Sequence, residues 1–162
     1  MWKRDKYLEY VVLDKNFIWL LIGQGVMEFG DNFRILAITA LLLELTGSGL
    51  AAGVSLVMTP IVGICLSPVA GILGDRLEAK GCLSILYLIQ GGLVTLFISG
   101  ASLYRIYFIL VLIAGVQIIQ DPMYKKVLRN LLKKNQILMG NSLSTGVSGF
   151  SNLIAPILGG VG

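Results

Sequence analysis

Apolar runs of membrane-crossing length alternate with short ionic or glycine-rich breaks through most of these 162 residues, and the breaks predict the elements. From Leu50 to Gly74 there is no charged residue. At 1.5 Å rise per residue, such a helix crosses a hydrocarbon core of about 30 Å. Four ionic residues then crowd together, Asp75, Arg76, Glu78 and Lys80, before apolar character resumes, which predicts a short charged loop between two membrane helices. The same alternation predicts five transmembrane helices, at 17–45, 50–74, 82–103, 107–124 and 137–162. Residues 1–16 mix charge with Tyr7, Leu8, Tyr10 and Val11, and read either as a segment in the cytoplasmic interface or as a frayed tail. The fold class is all-α integral membrane.

The first span breaks its own pattern, with Glu28, Asp31, Asn32 and Arg34 at its centre. Two short runs around a Gly30-Asp31-Asn32 turn would explain this, and so would one continuous helix. Angular bookkeeping favours the helix, because Gln24, Glu28, Asp31, Asn32 and Thr39 fall within a sector of roughly 100°. A charge at mid-membrane costs about 2.5–3.5 kcal/mol on insertion scales, so these groups must face a cavity or one another. Asp31 and Arg34 are three apart and can pair along the helix, which leaves Glu28 without an evident partner in that span. Glu28 is therefore a candidate proton carrier or counter-charge for a cationic substrate.

Later spans are less ionic. In the second, Pro60 and Pro68 each free a backbone carbonyl and predict bends, and the third carries Gly91, Gly92 and Gln90 and reads as packing. The fourth turns polar toward its inner end, with Gln117, Gln120, Asp121 and Tyr124 on one face and a kink expected at Pro122. A basic cytoplasmic loop is expected from Lys125 to Gln136. The fifth span sets Asn141, Thr145, Ser148 and Asn152 on one face, with Gly146 and Gly149 beside it, suited to close helix approach and hydrogen bonding. Glu28, Asp31, Arg34, Gln117, Gln120, Asp121, Asn141, Thr145 and Asn152 are the candidate lining of a proton and substrate cavity.

Composition agrees, with 56 % hydrophobic and 14 % charged residues, far more apolar surface than a soluble core of this length buries. The net charge of +4 matters less than its placement. Lys3, Arg4, Lys6 and Lys15 precede the first span, Arg76 and Lys80 follow the second, and Lys125, Lys126, Arg129, Lys133 and Lys134 follow the fourth, with Arg105 alone on the other side. That asymmetry places the N-terminus in the cytoplasm and marks the basic runs as orientation signals, not a nucleic-acid surface. Cys65 and Cys82 lie at different depths and are expected to be free thiols. With no histidine, no cysteine cluster and no paired catalytic geometry, the chain lacks the parts of an enzyme, a metal centre or a cofactor site.

Gly71, Leu73, Asp75, Arg76, Lys80 and Leu83 fall in the pattern G-x-L-a-D-r-x-G-r-k-x-x-l, which resembles the loop between helices two and three of major facilitator superfamily (MFS) transporters. Glu78 and Ala79 depart from it, standing where the family has Gly and a basic residue. Glu28-Phe29-Gly30-Asp31, Leu45-Thr46-Gly47-Ser48 and Asn141-Ser142-Leu143 look like the branch that includes macrolide and enterobactin exporters. Pro156, Gly159 and Gly160 are similar to the G-P-x-x-G-G bend element of antiporter-type members, with Ala155 in place of the leading Gly.

The resemblance implies a transporter of twelve helices in two six-helix halves, with substrate bound between them. Gly71, Asp75, Arg76 and Lys80 would then form a cytoplasmic gate loop. The fourth span lacks the arginine that family members often use in proton coupling, and Arg34, paired with Asp31, is the substitute expected. Five spans make up most of one half, so the sequence reads as cut short, with further helices or a complementary subunit needed for activity. The function implied is proton-coupled efflux of small drug-like or siderophore-like compounds across the plasma membrane. The competing reading is a non-transporting membrane protein whose helices only pack with partners.

Overall fold

The computed structural model describes residues 15–100, 102–134 and 136–159. Among the described residues five α-helices follow one another: α1 (Lys15–Thr46), α2 (Gly49–Arg76), α3 (Ala79–Thr95), α4 (Leu103–Leu131) and α5 (Ile137–Gly159), with a 3-10 turn at Leu96–Ser99 after α3. No strand occurs among the described residues. Gly49–Gly74, Ala79–Ile98 and Leu103–Leu131 are long and apolar enough to cross a bilayer, which makes this an all-helical protein with three such spans among the described residues. The proposed interfacial segment at residues 1–14 lies outside the described residues, as do Gly160 to Gly162; Lys15 and Asn16 open α1.

The polar centre of the first run does not break it. α1 is continuous over 32 residues, through Gly30-Asp31-Asn32. It stops where Gly47 adopts φ +63°, a left-handed conformation that glycine takes without strain, and the Gly47 N–H caps the Leu43 carbonyl at 2.8 Å. Only Gly47 and Ser48 separate α1 from α2. α2 runs on through Pro60 and Pro68, and α4 through Pro122.

Three boundaries differ from the sequence reading. The expected charged loop around Asp75, Arg76, Glu78 and Lys80 contracts to Leu77 and Glu78, because Asp75 and Arg76 continue the last turn of α2 and Lys80 already lies in the first turn of α3. The third run ends early: α3 tightens into the 3-10 turn, which Gly100 follows at φ +127°. The basic segment after the fourth run is helical as far as Leu131. Met123, Val127, Leu128 and Leu132 are buried at helical spacing, so one face of that segment is apolar and the lysines occupy the rest.

Two compact units divide the chain: a terminal unit of Met1–Ala37 and Leu128–Gly162, and a central unit of Ile38–Val127. The central unit is built on Ile38, Leu42, Ile106 and Leu110, with Leu41, Met58, Phe97, Leu103 and Tyr107 packed against them. In the terminal unit Phe17 is fully buried, and Gly140 lies so close to Leu132 that a Cβ there would overlap its Cδ1.

Not every glycine expected to permit close packing does so. A Cβ on Gly71, Gly91, Gly92, Gly146 or Gly149 would meet nothing within 4 Å among the described residues. Besides Gly140, the tight positions are Gly74, where an added Cβ would lie 3.3 Å from Pro122 Cβ, and Gly25, where it would lie 3.0 Å from Val147 Cγ1. Helix crossing points depend on which glycines face a neighbour, and sequence spacing alone does not show that.

Candidate functional site in the terminal unit

The polar face of α1 and a serine stripe on α5 form a hydrogen-bonded seam. Gln24, 9 % exposed, receives the Ser144 hydroxyl on Oε1 at 2.8 Å. Its Nε2 donates to Glu28 Oε1 at 2.7 Å and to Ser148 Oγ at 2.9 Å, with the Ser144 carbonyl at 3.4 Å. The Ser148 hydroxyl in turn donates to Glu28 Oε1 at 2.6 Å. Further along, Ser151 Oγ donates to the Gly25 carbonyl at 3.3 Å, and Asn32 Nδ2 donates to Asn152 Oδ1 at 2.7 Å and to the Glu28 carbonyl at 2.9 Å. Interhelical hydrogen bonds of this kind hold helices together in lipid, where apolar burial gives no advantage over lipid contact.

Glu28 is thus not left without partners, as its own span suggested; its partners come from one turn earlier and from α5. Both are neutral, and Glu28 makes no ion pair among the described residues. Its second oxygen, Oε2, is buried with no hydrogen-bond partner. Asp31 and Arg34 do pair along α1: Nε at 3.3 Å and Nη2 at 3.2 Å share the single oxygen Oδ1, and Arg34 is 8 % exposed.

Beside the seam, α1 and α5 enclose an apolar groove of about 680 Å³, lined by Leu21, Val26, Phe29, Val147, Phe150 and Ile154 among others. The pair therefore carries two chemically distinct sides. One holds the carboxyl; the other is mostly hydrocarbon, with Ser142 and Ser151 at its wall.

Of the remaining candidates, Asn141, Thr145 and Asn152 are exposed on α5, while Ser144 and Ser151, absent from the candidate set, are buried against α1 beside the half-buried Ser148. Ser148 already stood on the polar face read from the sequence, as Gln24 and Glu28 stood in one sector of α1; Ser144 and Ser151, spaced around Ser148 at i, i+4, i+7, were passed over for the larger polar residues at 141, 145 and 152.

Gln117, Gln120 and Asp121 belong to the central unit. Gln120 is buried, with Nε2 unpartnered; Gln117 is half-buried and Asp121 exposed. At the α2–α3 turn, the side chain of Asp75 lies outside the described residues, and Gly71, Arg76 and Lys80 are exposed. The cation acting there is Lys126 of α4, whose Nζ donates at 3.0 Å to the carbonyls of Gly74 and Leu77 and so caps the C-terminal end of α2. Pro156 and Gly159 lie in the last turns of α5, with the Pro156 side chain outside the described residues; Gly160 is beyond them. Cys65 and Cys82 are free thiols.

A likeness to a known protein bears on these features. Over 150 residues, 90 % of its length, the chain is 27 % identical to YfiS, an uncharacterised MFS-type transporter of Bacillus subtilis (strain 168). The likeness is to a transport protein. The chain spans 35 % of that relative's length. No protein-family model and no solved structure matches. An MFS-type relative and three apolar spans among the described residues agree on a multi-pass membrane protein.

Proposed function

We propose that this chain is the N-terminal part of a proton-coupled MFS exporter, of the branch that includes macrolide and enterobactin exporters. In this reading α1 to α5 are its first five spans, with the N-terminus on the cytoplasmic side of the plasma membrane. The cargo is a small apolar, cationic or siderophore-like compound. Further helices, from the same polypeptide or a complementary subunit, supply the opposite wall of the cavity.

The observation that carries the reading is Glu28: a carboxyl near the middle of a 32-residue helix, held by two neutral donors and paired with no cation among the described residues. An ionisable group so placed is a functional group by default, because a charge at that depth costs about 2.5–3.5 kcal/mol on insertion scales. The Asp31–Arg34 pair, one turn on, supplies the switchable charge that the fourth span lacks, and Asn141, Thr145 and Asn152 of the same unit are further cavity groups. Lys126 steadies the gate turn by its hold on the Gly74 and Leu77 carbonyls, beside Asp75, Arg76 and Lys80.

Two linked measurements test the proposal. The intact mass of the native polypeptide in its own membrane should exceed twice the 17.5 kDa of this chain. Everted vesicles holding that native protein should release protons in a substrate-dependent way when challenged with lipophilic cations, and Glu28→Gln should abolish the response, as should Asp31→Asn. Full proton-linked transport in Glu28→Gln would refute the assignment of Glu28.

A further inference from the structure

Both hydrogen bonds to the Glu28 carboxyl fall on one oxygen. Oε1 accepts Gln24 Nε2 at 2.7 Å and the Ser148 hydroxyl at 2.6 Å, while the buried Oε2 accepts nothing. The arrangement is fixed from outside. The Ser144 hydroxyl donates to Gln24 Oε1 at 2.8 Å and so turns the amide nitrogen toward Glu28 and Ser148. Ser148 accepts from that nitrogen at 2.9 Å, which directs its single hydroxyl hydrogen elsewhere; Glu28 Oε1 lies at 2.6 Å and the Ser144 carbonyl only at 3.2 Å. A carboxylate oxygen has two in-plane lone pairs, and on Oε1 both are engaged.

A proton that joins Glu28 without breaking the contact between α1 and α5 must therefore bind Oε2. Resting on the reading of Glu28 as the proton carrier, we infer that Gln24 and Ser148 are positioning residues, which grip the carboxyl by Oε1 and reserve Oε2 as the atom that takes up and releases the proton. On uptake an O–H bond forms at Oε2, the carboxylate charge is neutralised, and Oε1 becomes the carbonyl oxygen while keeping both donors. On release that O–H bond breaks and its electron pair stays on Oε2. The seam stays closed in both states. No competing charge comes from the partner helix, since α5 has no ionisable residue, and on α1 the nearest ionic groups, Asp31 and Arg34, bind each other at 3.2 Å.

The C=O stretch of the protonated carboxyl reads this directly, because a carbonyl that accepts two hydrogen bonds absorbs at lower wavenumber than a free one. Infrared difference spectra between high and low pH, recorded on the native protein in lipid, should contain a carboxylic band that vanishes in Glu28→Gln. That band should lie at low wavenumber in the wild type and move upward in Ser148→Ala. It should rise further when Gln24→Leu is added, and hold its wild-type position in Ser148→Thr, which keeps the hydroxyl. A Glu28 band at the position of an unbonded carbonyl, or one that neither variant moves, would overturn the inference and leave the proton-carrier reading intact. Absence of any Glu28 band across the pH range would overturn the proton-carrier reading itself and the inference with it. Once Glu28→Gln has assigned the band, its wild-type position is informative alone, so the decision does not depend on the Ser148→Ala or Gln24→Leu variants folding.

Discussion

The two units differ in the physics that holds each one together. In the central unit Ile38, Leu42, Ile106 and Leu110 interlock with no hydrogen bond among their side chains, and stability there comes from dispersion between well-packed hydrocarbon. In the terminal unit the contact between α1 and α5 runs through Gln24, Glu28, Ser144, Ser148, Asn32 and Asn152, a chain of directional bonds that fixes where each oxygen points. The lesson is one of division of labour. Apolar packing tolerates small displacements and sets overall stability. A polar seam contributes less per contact, yet it fixes one arrangement of a reactive carboxyl, which a hydrocarbon contact could not do.

That contrast predicts a graded series of effects on thermal unfolding in detergent micelles. Leu42 is fully buried in the central cluster, and Leu42→Ala should cost about 2–4 kcal/mol through the cavity it leaves. Next comes Gly140→Ala in the terminal unit, where the new methyl would force the Leu132 side chain aside; about 1–3 kcal/mol is expected, showing that this unit has one sterically tight point of its own. Ser148→Ala removes an interhelical hydroxyl from the seam and should cost only about 0.6–1.7 kcal/mol, with a far larger effect on proton-linked transport than on unfolding. Smallest is Tyr107→Phe, which deletes the 2.8 Å bond to the Ala51 carbonyl in the central unit, at about 0.5–1 kcal/mol. Equal losses from Leu42→Ala and Ser148→Ala would break the contrast, since the seam would then be as much a structural core as the hydrocarbon cluster.

Much of the fold was legible, for a physical reason: a helix in lipid must satisfy its backbone internally, so the length and spacing of apolar runs predict it with little help from tertiary context. The helix through Glu28 and Asp31 and the pairing of Asp31 with Arg34 both followed from angles along one helix. Boundaries were less legible. Residues Lys125 to Leu131 looked like a basic loop because charge was counted, whereas burial of Val127 and Leu128 keeps them helical. Lys126 could not have been chosen from five neighbouring cations as the one that reaches the Gly74 and Leu77 carbonyls, because the contact joins residues about 50 apart in the chain and nothing local encodes the approach of α2 to α4.

The sequence by itself determined an all-helical chain with membrane-length apolar runs, and it placed a carboxyl, an ion pair and several amides within two of its helices, since those properties depend on composition and on 3.6-residue periodicity. Tertiary structure alone decided which face of α5 meets α1, and therefore that Ser144, Ser148 and Ser151 turn inward while Asn141 and Thr145 stay exposed. It also decided that Glu28 has partners, and on which oxygen. Hydrogen bonds between helices depend on their relative rotation and separation, set here by the close approach of Gly25 to Val147, and no periodicity along a single helix carries that information.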